Sequence, residues 1–576
     1  MLEQELMSLG ILFFFAIVGG VIASKLKQPP VLGLLLVGSL IGPNMFNLVK
    51  DHSIIEMMAE LGSILLLFVI GLEFVIPKLV KIGFKALMIG ILKIGIIFFI
   101  IYEVLVFIGI NQQAALLIGT MFSVSSTVVI VKVLEQKGLY EREEMPLLIG
   151  ILLIEDLFAV VVMTFLSGAK SSNNIFFVFE KLIIAITVLV IVYLVFLKIV
   201  KIIIPKLLKE GNDELVTFIA LGLCAGFSYL AYALGLQPAT GAFLAGSIIA
   251  SLSDAKLFEH AIKPYTLTFT SLFFISIGTM VNFSVIKNNL YLLILLIITI
   301  IISRFLALGT MGYLFANFKR QQMIFSSLAM ISVGEFSLLI AQAAMKLNYG
   351  IDFVSLSAFL IFFTALIMSL TIGYYEKMTD ILVTTSLNVN HKPRSFSNFI
   401  RLLSEEIDTD NTLSKSLKEL FAKSALNFLY LFAIIILFQK TIHILPSYIS
   451  FTFIHKFITY TIFSLILLIL LISIYKLNKQ MFKILTRIIS NIYSGTSEEQ
   501  SKNIIKNLLL ALLLLLITIF SPLLIVLFKL PNWINIISFL FLVVMIIRFG
   551  RLFNIVHNTS KHIYFPKYKK INTLKF

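Results

Sequence analysis

One cysteine and one tryptophan stand among 576 residues, and only 13% of the chain is charged. A lone cysteine, Cys224, excludes an intrachain disulfide framework. It lies in an apolar run and reads as a small core residue. Soluble domains carry about a quarter charged residues, so a soluble chain this poor in charge would show water an apolar surface that it does not tolerate. Acidic residues are scarcer than basic ones, 30 against 46, for a formal net charge of +16. In a soluble protein that excess would point to nucleic acid. Here the Lys and Arg fall mainly in loops between apolar runs, where they orient a chain in a membrane, and no nucleic-acid partner is expected. The seven His are scattered. No nucleophile–base pair, metal-ligand cluster or phosphate loop appears, which argues against an enzyme and against a resident cofactor or metal.

What is abundant is apolar sequence. Hydrophobic residues make up 59% of the chain, and its mean hydropathy is +1.03. Apolar runs of about 18 or more residues recur, each long enough to cross a bilayer core as a helix. They are continuous rather than alternating, which excludes a β-barrel. The class is all-α and polytopic, with the lipid bilayer as partner. The first run, Leu6–Ala23, has neither a basic start nor a small-residue cleavage site and reads as a retained span.

Thirteen spans are expected before residue 380, at about 6–24, 30–48, 53–75, 82–109, 113–134, 145–167, 175–205, 213–235, 237–252, 265–281, 288–316, 321–346 and 351–377. Odd-numbered loops hold Lys25, Lys27, Lys78, Lys81, Lys85, Lys137, Arg142, Lys198, Lys201, Lys206, Lys209, Lys256, Lys263, Lys319 and Arg320, whereas even-numbered loops hold Lys50, Lys170, Lys287 and Lys346. That bias puts the odd loops in the cytoplasm and the N-terminus outside a cell membrane. A polar stretch follows at 385–423, where Ser404-Glu-Glu-Ile-Asp and Thr412-Leu-Ser-Lys suggest amphipathic cytoplasmic helices. Four more spans, about 424–440, 449–475, 504–529 and 531–548, form an additional membrane module over 424–550. The basic tail, 551–576 with Lys567, Lys569 and Lys570, falls in the cytoplasm on this count.

Ionisable groups at mid-bilayer depth cost a few kcal/mol each on insertion scales, so they mark candidate functional sites. The central ones are Glu155, Asp156, Arg304 and Glu335; Glu60 and Glu73 lie nearer the ends of their span. Glu155 and Asp156 are neighbours on one helix, about 100° apart around its axis, and cannot point the same way. One is expected to face a cavity while the other pairs with Arg304 or another helix. Two carboxylates in a poorly hydrated place repel. A carboxylate held there binds either a proton or a hard cation with the same oxygens, which is antiport chemistry in its simplest form. The alternative reading is a buried ion pair with Arg304. Two spans carry small polar residues at the same depth, Met121-Phe-Ser-Val-Ser-Ser-Thr and Met330-Ile-Ser-Val-Gly-Glu-Phe-Ser. Ser123, Ser125, Ser126 and Thr127 can bond backbone carbonyls or line a site, and Gly334 weakens its helix. Interrupted helices at corresponding positions in two halves point to a transporter's binding site. Taken singly, such residues more often mean close helix packing.

These stretches resemble a known family. Glu60-Leu-Gly-Ser-Ile-Leu-Leu-Leu-Phe-Val-Ile-Gly-Leu-Glu73, Ser123-Val-Ser-Ser-Thr127, Glu155-Asp156, Gly235-Leu-Gln-Pro-Ala-Thr-Gly-Ala-Phe-Leu-Ala-Gly246, Leu272-Phe-Phe-Ile-Ser-Ile-Gly278 and Gly334-Glu-Phe336 occur in the order found in monovalent cation:proton antiporters. The nearest branch is that of bacterial Na+/H+ exchangers and glutathione-gated potassium efflux systems. The resemblance covers residues 1–380 and implies inverted five-helix repeats with two broken helices crossing at mid-membrane. It implies a core at about 82–167 and 288–377, a dimer and scaffold part at about 6–75 and 213–281, and a linker helix at about 175–205. The core would carry the ion past the scaffold of a homodimer in an elevator-like step. Asp156 would be the ion and proton carrier, and Glu335 would neutralise the helix ends at the crossing.

The chain departs from the family in three places. Glu155 stands where branches carry aspartate, asparagine or glutamine, and its acidity leans toward Na+ exchange, with K+/H+ exchange or K+ efflux as the alternative. Arg304 stands where many electrogenic members have lysine, and arginine does not give up its proton. Glu155 could restore a second proton, so the resemblance leaves stoichiometry open. No strand–Gly-rich-turn–helix pattern follows residue 380, so no nucleotide-binding domain and no control by dinucleotide or glutathione is expected. A cation channel, the competing class, needs a pore lined by carbonyls or charged rings; no short filter-like loop lies between the spans. A sensor that has lost transport is disfavoured by the intact acidic pair and Glu335.

Overall fold

A computed structural model describes residues 2–385 apart from 50–51, 74–75, 170–174, 208–212, 346 and 348, then 398–400, eight scattered positions between 419 and 486, 498–527 and 535–561. Among the described residues every regular element is helical, apart from one isolated bridge between Ser125 and Val333. A bilayer offers the backbone no water, so each segment must satisfy its own N–H and C=O groups, and a helix does this locally.

The helices run in the order α1 (Leu2–Lys25), α2 (Pro30–Ile41), α3 (His52–Glu73), α4 (Ile76–Phe107), α5 (Gln112–Phe122), α6 (Thr127–Gln136), α7 (Met145–Ala169), α8 (Ile175–Leu207), α9 (Asp213–Ala233) and α10 (Pro238–Ala250). They continue with α11 (Ala255–Thr279), α12 (Phe283–Asn288), α13 (Leu290–Phe315), α14 (Arg320–Ala329), α15 (Phe336–Met345), α16 (Phe353–Thr371), α17 (Tyr375–Thr385), α18 (Glu498–Leu527) and α19 (Asn535–Lys561). Nine helices among the described residues are long and apolar enough to cross a membrane, and α2, α10 and α15 are shorter apolar helices. The chain is a multi-pass membrane protein.

Local chemistry sets several ends. Pro30 and Pro238 open α2 and α10, where a missing N–H costs nothing. The Asn111 side chain accepts the Gln113 N–H and caps α5. Asn282 does the same for α12, a short helix where the sequence reading expected only a loop. The expected spans over 113–134 and 321–346 are each two helices with a gap between them. Helix α11 begins ten residues before the expected 265, because a helix need not stop at the edge of its apolar window: Lys256, His260 and Lys263 lie on its exposed first turns. Of the expected C-terminal module, 504–529 and 531–548 overlap α18 and α19, and α19 runs on to Lys561, into the stretch expected as the tail from 551. The spans at 424–440 and 449–475, the helices near Ser404 and Thr412, and the basic tail residues Lys567, Lys569 and Lys570 lie outside the described residues.

Two apolar clusters organise the packing. The larger joins α4 to α7 and α13 to α16 and continues into α1, α2, α3, α10 and α11, with Phe122, Leu152, Ile300, Phe336 and Leu360 fully buried. The second joins α3 and α8 to α11 around Phe68, Cys224, Phe227, Ile248 and Phe258. Cys224 is buried there as a free thiol. In the second cluster α3 and α10 meet backbone to backbone. A Cβ at Gly246 would lie 2.1 Å from the Phe68 carbonyl oxygen, and one at Gly71 would lie 2.2 Å from that of Phe243. Only glycine allows that approach. Gly246→Leu should therefore lower stability by about 1–3 kcal/mol through overpacking. Thermal unfolding in detergent reads this against Gly20→Leu, whose glycine has open space around it and should tolerate the change.

Candidate functional site

The gap after α5 and the gap after α14 lie against each other. Ser126 N–H donates to the Ser332 carbonyl at 3.1 Å, and Gly334 N–H donates to the Val124 carbonyl at 3.2 Å. These bonds make the antiparallel bridge between Ser125 and Val333. The approach requires Gly334, since a Cβ there would lie 2.6 Å from the Ser125 carbonyl oxygen. Val333 N–H is held by Thr364 Oγ1 of α16 at 3.0 Å. Four helix ends thus converge in the buried interior, and each leaves backbone groups without intrahelical partners.

Arg304 of α13 serves the carbonyl ends. Its Nη1 donates to the carbonyls of Met330 at 2.5 Å and Ser332 at 3.2 Å and to Ser125 Oγ at 2.5 Å. Its Nη2 donates to the carbonyls of Phe122 at 3.0 Å and Val124 at 2.8 Å. A planar fork of donors suits this divergent set, and a positive charge suits helix C-termini. Glu335 serves the amide ends. It precedes α15 directly, accepts Ser126 Oγ–H at 2.6 Å and the N–H of Val128, and sits where two helix N-termini carry partial positive charge. Ser126 in turn accepts Val129 N–H at 3.2 Å and caps α6. Ser123 is buried at the crossing, but its hydroxyl donates to the Thr120 carbonyl of its own helix end at 2.8 Å.

The acidic pair on α7 divides. Glu155 Oε2 accepts Ser125 N–H at 2.7 Å, and Oε1 accepts a hydrogen bond from Lys93 Nζ of α4. Lys93 also donates to Ser125 Oγ at 2.6 Å, and neither Lys93 nor Glu155 is exposed at all. Asp156 turns the other way, and its Oδ2 accepts Thr127 Oγ1–H at 3.1 Å where α6 begins. Arg304 therefore forms an ion pair with neither acid, contrary to the alternative drawn from the sequence. Its Nη1 and Nη2 donate to carbonyl oxygens and a hydroxyl, and the lysine of α4 reaches Glu155 instead. Lys93 is the residue that sequence reasoning missed. The signal was available: a lone cation near the middle of an apolar run, at a depth where ionisable groups are costly. Thr364 carried no comparable signal.

The buried ionisable groups at the crossing are thus Lys93, Arg304, Glu155, Asp156 and Glu335, three carboxylates against two cations. A second charged cluster lies away from the crossing, at the N-terminal end of α7. Arg142 bonds both oxygens of buried Glu144, at 3.0 and 3.2 Å, and Tyr375 Oη at 2.8 Å. Its guanidinium lies over the rings of Phe325 and Tyr375, at 4.3 and 4.7 Å. Burial pulls the Arg142 pKa down, but the Glu144 carboxylate and Tyr375 together more than offset this and raise it above the ordinary arginine value. It is a fixed cation that ties the start of α7 to α14 and α17.

Comparison with known proteins bears on the same region. A family model described as sodium/hydrogen exchanger, transmembrane, matches residues 11–375. The probable Na(+)/H(+) antiporter GerT of Bacillus cereus is 29% identical over 351 residues, which is 58% of this chain and 92% of that protein. K(+) efflux antiporter 5 of Arabidopsis thaliana is 25% identical over 348 residues, 59% of this chain and 60% of that protein. A solved structure of a sodium proton antiporter from Methanocaldococcus jannaschii aligns with 67% of this chain and 99% of its own at 17% identity, with a TM-score of 0.48.

Proposed function

We infer the activity from one premise: the chain belongs to the sodium/hydrogen exchanger transmembrane family. It is a membrane cation/proton antiporter. We propose that Asp156 is the carrier, with its carboxylate and the Thr127 hydroxyl offering oxygen ligands to a monovalent cation or, in turn, to H+. The observation that carries this is the division of the acidic pair. Glu155 is committed to Lys93 and the Ser125 N–H, whereas Asp156 faces the start of α6. Hard alkali cations favour such oxygens.

The charge count supports a stoichiometry. Three carboxylates and two cations carry a formal −1, which one H+ or one Na+ neutralises. Arg304 and Glu335 serve helix ends of opposite sign, and Lys93 holds Glu155, so one charge is exchanged per cycle. The reading is one H+ per monovalent cation, electroneutral, with Na+ favoured over K+. No resident cofactor or metal is needed beyond the transported ions. We assign thirteen spans to the exchanger, counting α5 with α6 and α14 with α15 as single broken spans. Helices α4 to α7 and α13 to α16 would be the moving core, and α1 to α3 with α9 to α11 the scaffold and homodimer surface. Thr164 of α7 and Thr240 of α10 touch across that boundary, at 3.3 Å between hydroxyl oxygens. The N-terminus is placed outside the cell membrane and the C-terminus in the cytoplasm, following the loop charges.

Purified protein in vesicles tests this with Na+, K+ and Li+ under an imposed membrane potential. The expected result is exchange whose rate the potential does not change, with apparent cation affinity falling about tenfold per pH unit below the carboxyl's pKa, as one-for-one competition requires. A potential-dependent rate overturns the one-to-one ratio. Unchanged affinity from acidic to alkaline pH overturns the shared site.

A further inference from the structure

Helix α18, well over a hundred residues beyond the exchanger region, packs on the helix that carries Lys93. Its packed partners are α4, α5 and α19. Leu508, Ala511, Leu515, Thr518, Pro522 and Ile525 are buried at spacings alternating between three and four residues, and Leu508 belongs with Leu552 and Val556 of α19. Leu515 and Ile519 enter the same apolar cluster as Ile97, Ile101 and Ile118 of α4 and α5, and Val526 and Met545 pack against it.

The tightest point is a key in a slot. A Cβ at Gly95 would lie 2.6 Å from Cγ2 and 2.7 Å from Cδ1 of Ile519, so the Ile519 side chain fills the space that any other residue at position 95 would take. Gly95 is two residues beyond Lys93, about 200° around α4. The helix therefore shows Lys93 to the crossing and its opposite face to α18.

We propose that α18 is a fixed passenger of the ion-carrying body: its seam on α4 and α5 stays closed through the exchange cycle, and α18 travels with the site. This rests on the two-body reading of the exchanger given above. A seam that opened in each cycle would empty the Gly95 slot of Ile519, and lipid chains cannot restore the contacts of so closely interlocked a joint. Riding with the core leaves every one of those contacts intact.

Two cysteine pairs in the full chain, on a Cys224→Ala background, separate the possibilities. With Gly95→Cys and Ile519→Cys, oxidation should cross-link α4 to α18 in high yield and leave exchange within about twofold of the reduced protein, as a seam of unchanged contacts requires. Failure of the pair to cross-link in active protein overturns the seam. A cross-link that stops exchange, reversed by reductant, overturns the passenger. With Thr164→Cys and Thr240→Cys, oxidation should stop exchange, because that bond ties core to scaffold. Exchange that persists there sinks the two-body reading and leaves the seam result standing on its own. Should the first pair fail to accumulate, Ile519→Cys alone is read by a membrane-permeant maleimide. Its protection should be the same in Na+ at high pH and in H+ at low pH; labelling in one state only overturns the proposal.

Discussion

Asp156→Asn is expected to reduce cation/proton exchange to the level of protein-free vesicles while the protein still folds. Asparagine keeps the size of aspartate, and its amide oxygen can still accept the Thr127 hydroxyl. What it loses is the charge and the proton. A unit charge on a cation about 4 Å away is worth about 4 kcal/mol at an effective dielectric constant of 20, or roughly a thousandfold in affinity. The asparagine side chain also has no proton to surrender when a cation arrives, so both half-reactions fail together. Thermal unfolding should remain close to that of the unmodified protein, which separates loss of the carrier from loss of the fold. Exchange at the original rate would show that another group carries the ion.

The second large effect concerns Lys93 and Glu155, and it falls on stability rather than on exchange. Both are fully buried and bonded to each other and to Ser125. Removing one partner leaves a charge in a dry place, which typically costs about 3–5 kcal/mol, whereas replacing both by neutral groups of similar volume is often close to neutral. Lys93→Met is therefore expected to lower the unfolding temperature markedly or to prevent accumulation. Lys93→Met combined with Glu155→Gln should recover most of that loss. The double variant should also exchange cations, because Asp156 is untouched. A folded double variant with no exchange would move Glu155 and Lys93 from the framework into the transport chemistry.

These two experiments probe different layers of legibility. Asp156, Glu335 and Arg304 stood out in the sequence because ionisable residues inside long apolar runs are costly. The two interruptions stood out because Ser, Thr and Gly crowd the same depth in two spans. Which carboxylate faces which partner did not stand out. Glu155 and Asp156 are adjacent letters, and the helix alone says only that they diverge. Their division needs the position of Ser125, 30 residues earlier, and of Lys93, 62 residues earlier. Arg304 looked like a counterion for α7 because charge was the only attribute visible. Its neighbours are carbonyl oxygens, and backbone groups have no letter in a sequence.

Sequence by itself determined the class of the protein, a chain of apolar helices with acids at mid-depth, because hydropathy and the cost of burying charge are properties of single residues and short runs. It also determined the exchanger family, through six short motifs in order. The tertiary structure decided everything that depends on distance between helices: the crossing of the two gaps, the pairing of Lys93 with Glu155, the seating of Ile519 against Gly95, and the direction of Asp156. The physical reason is that such contacts are set by the packing of whole helices. A pairing between residues 60 or 400 positions apart is fixed by the shapes of both surfaces at once, and neither stretch of sequence holds that information alone.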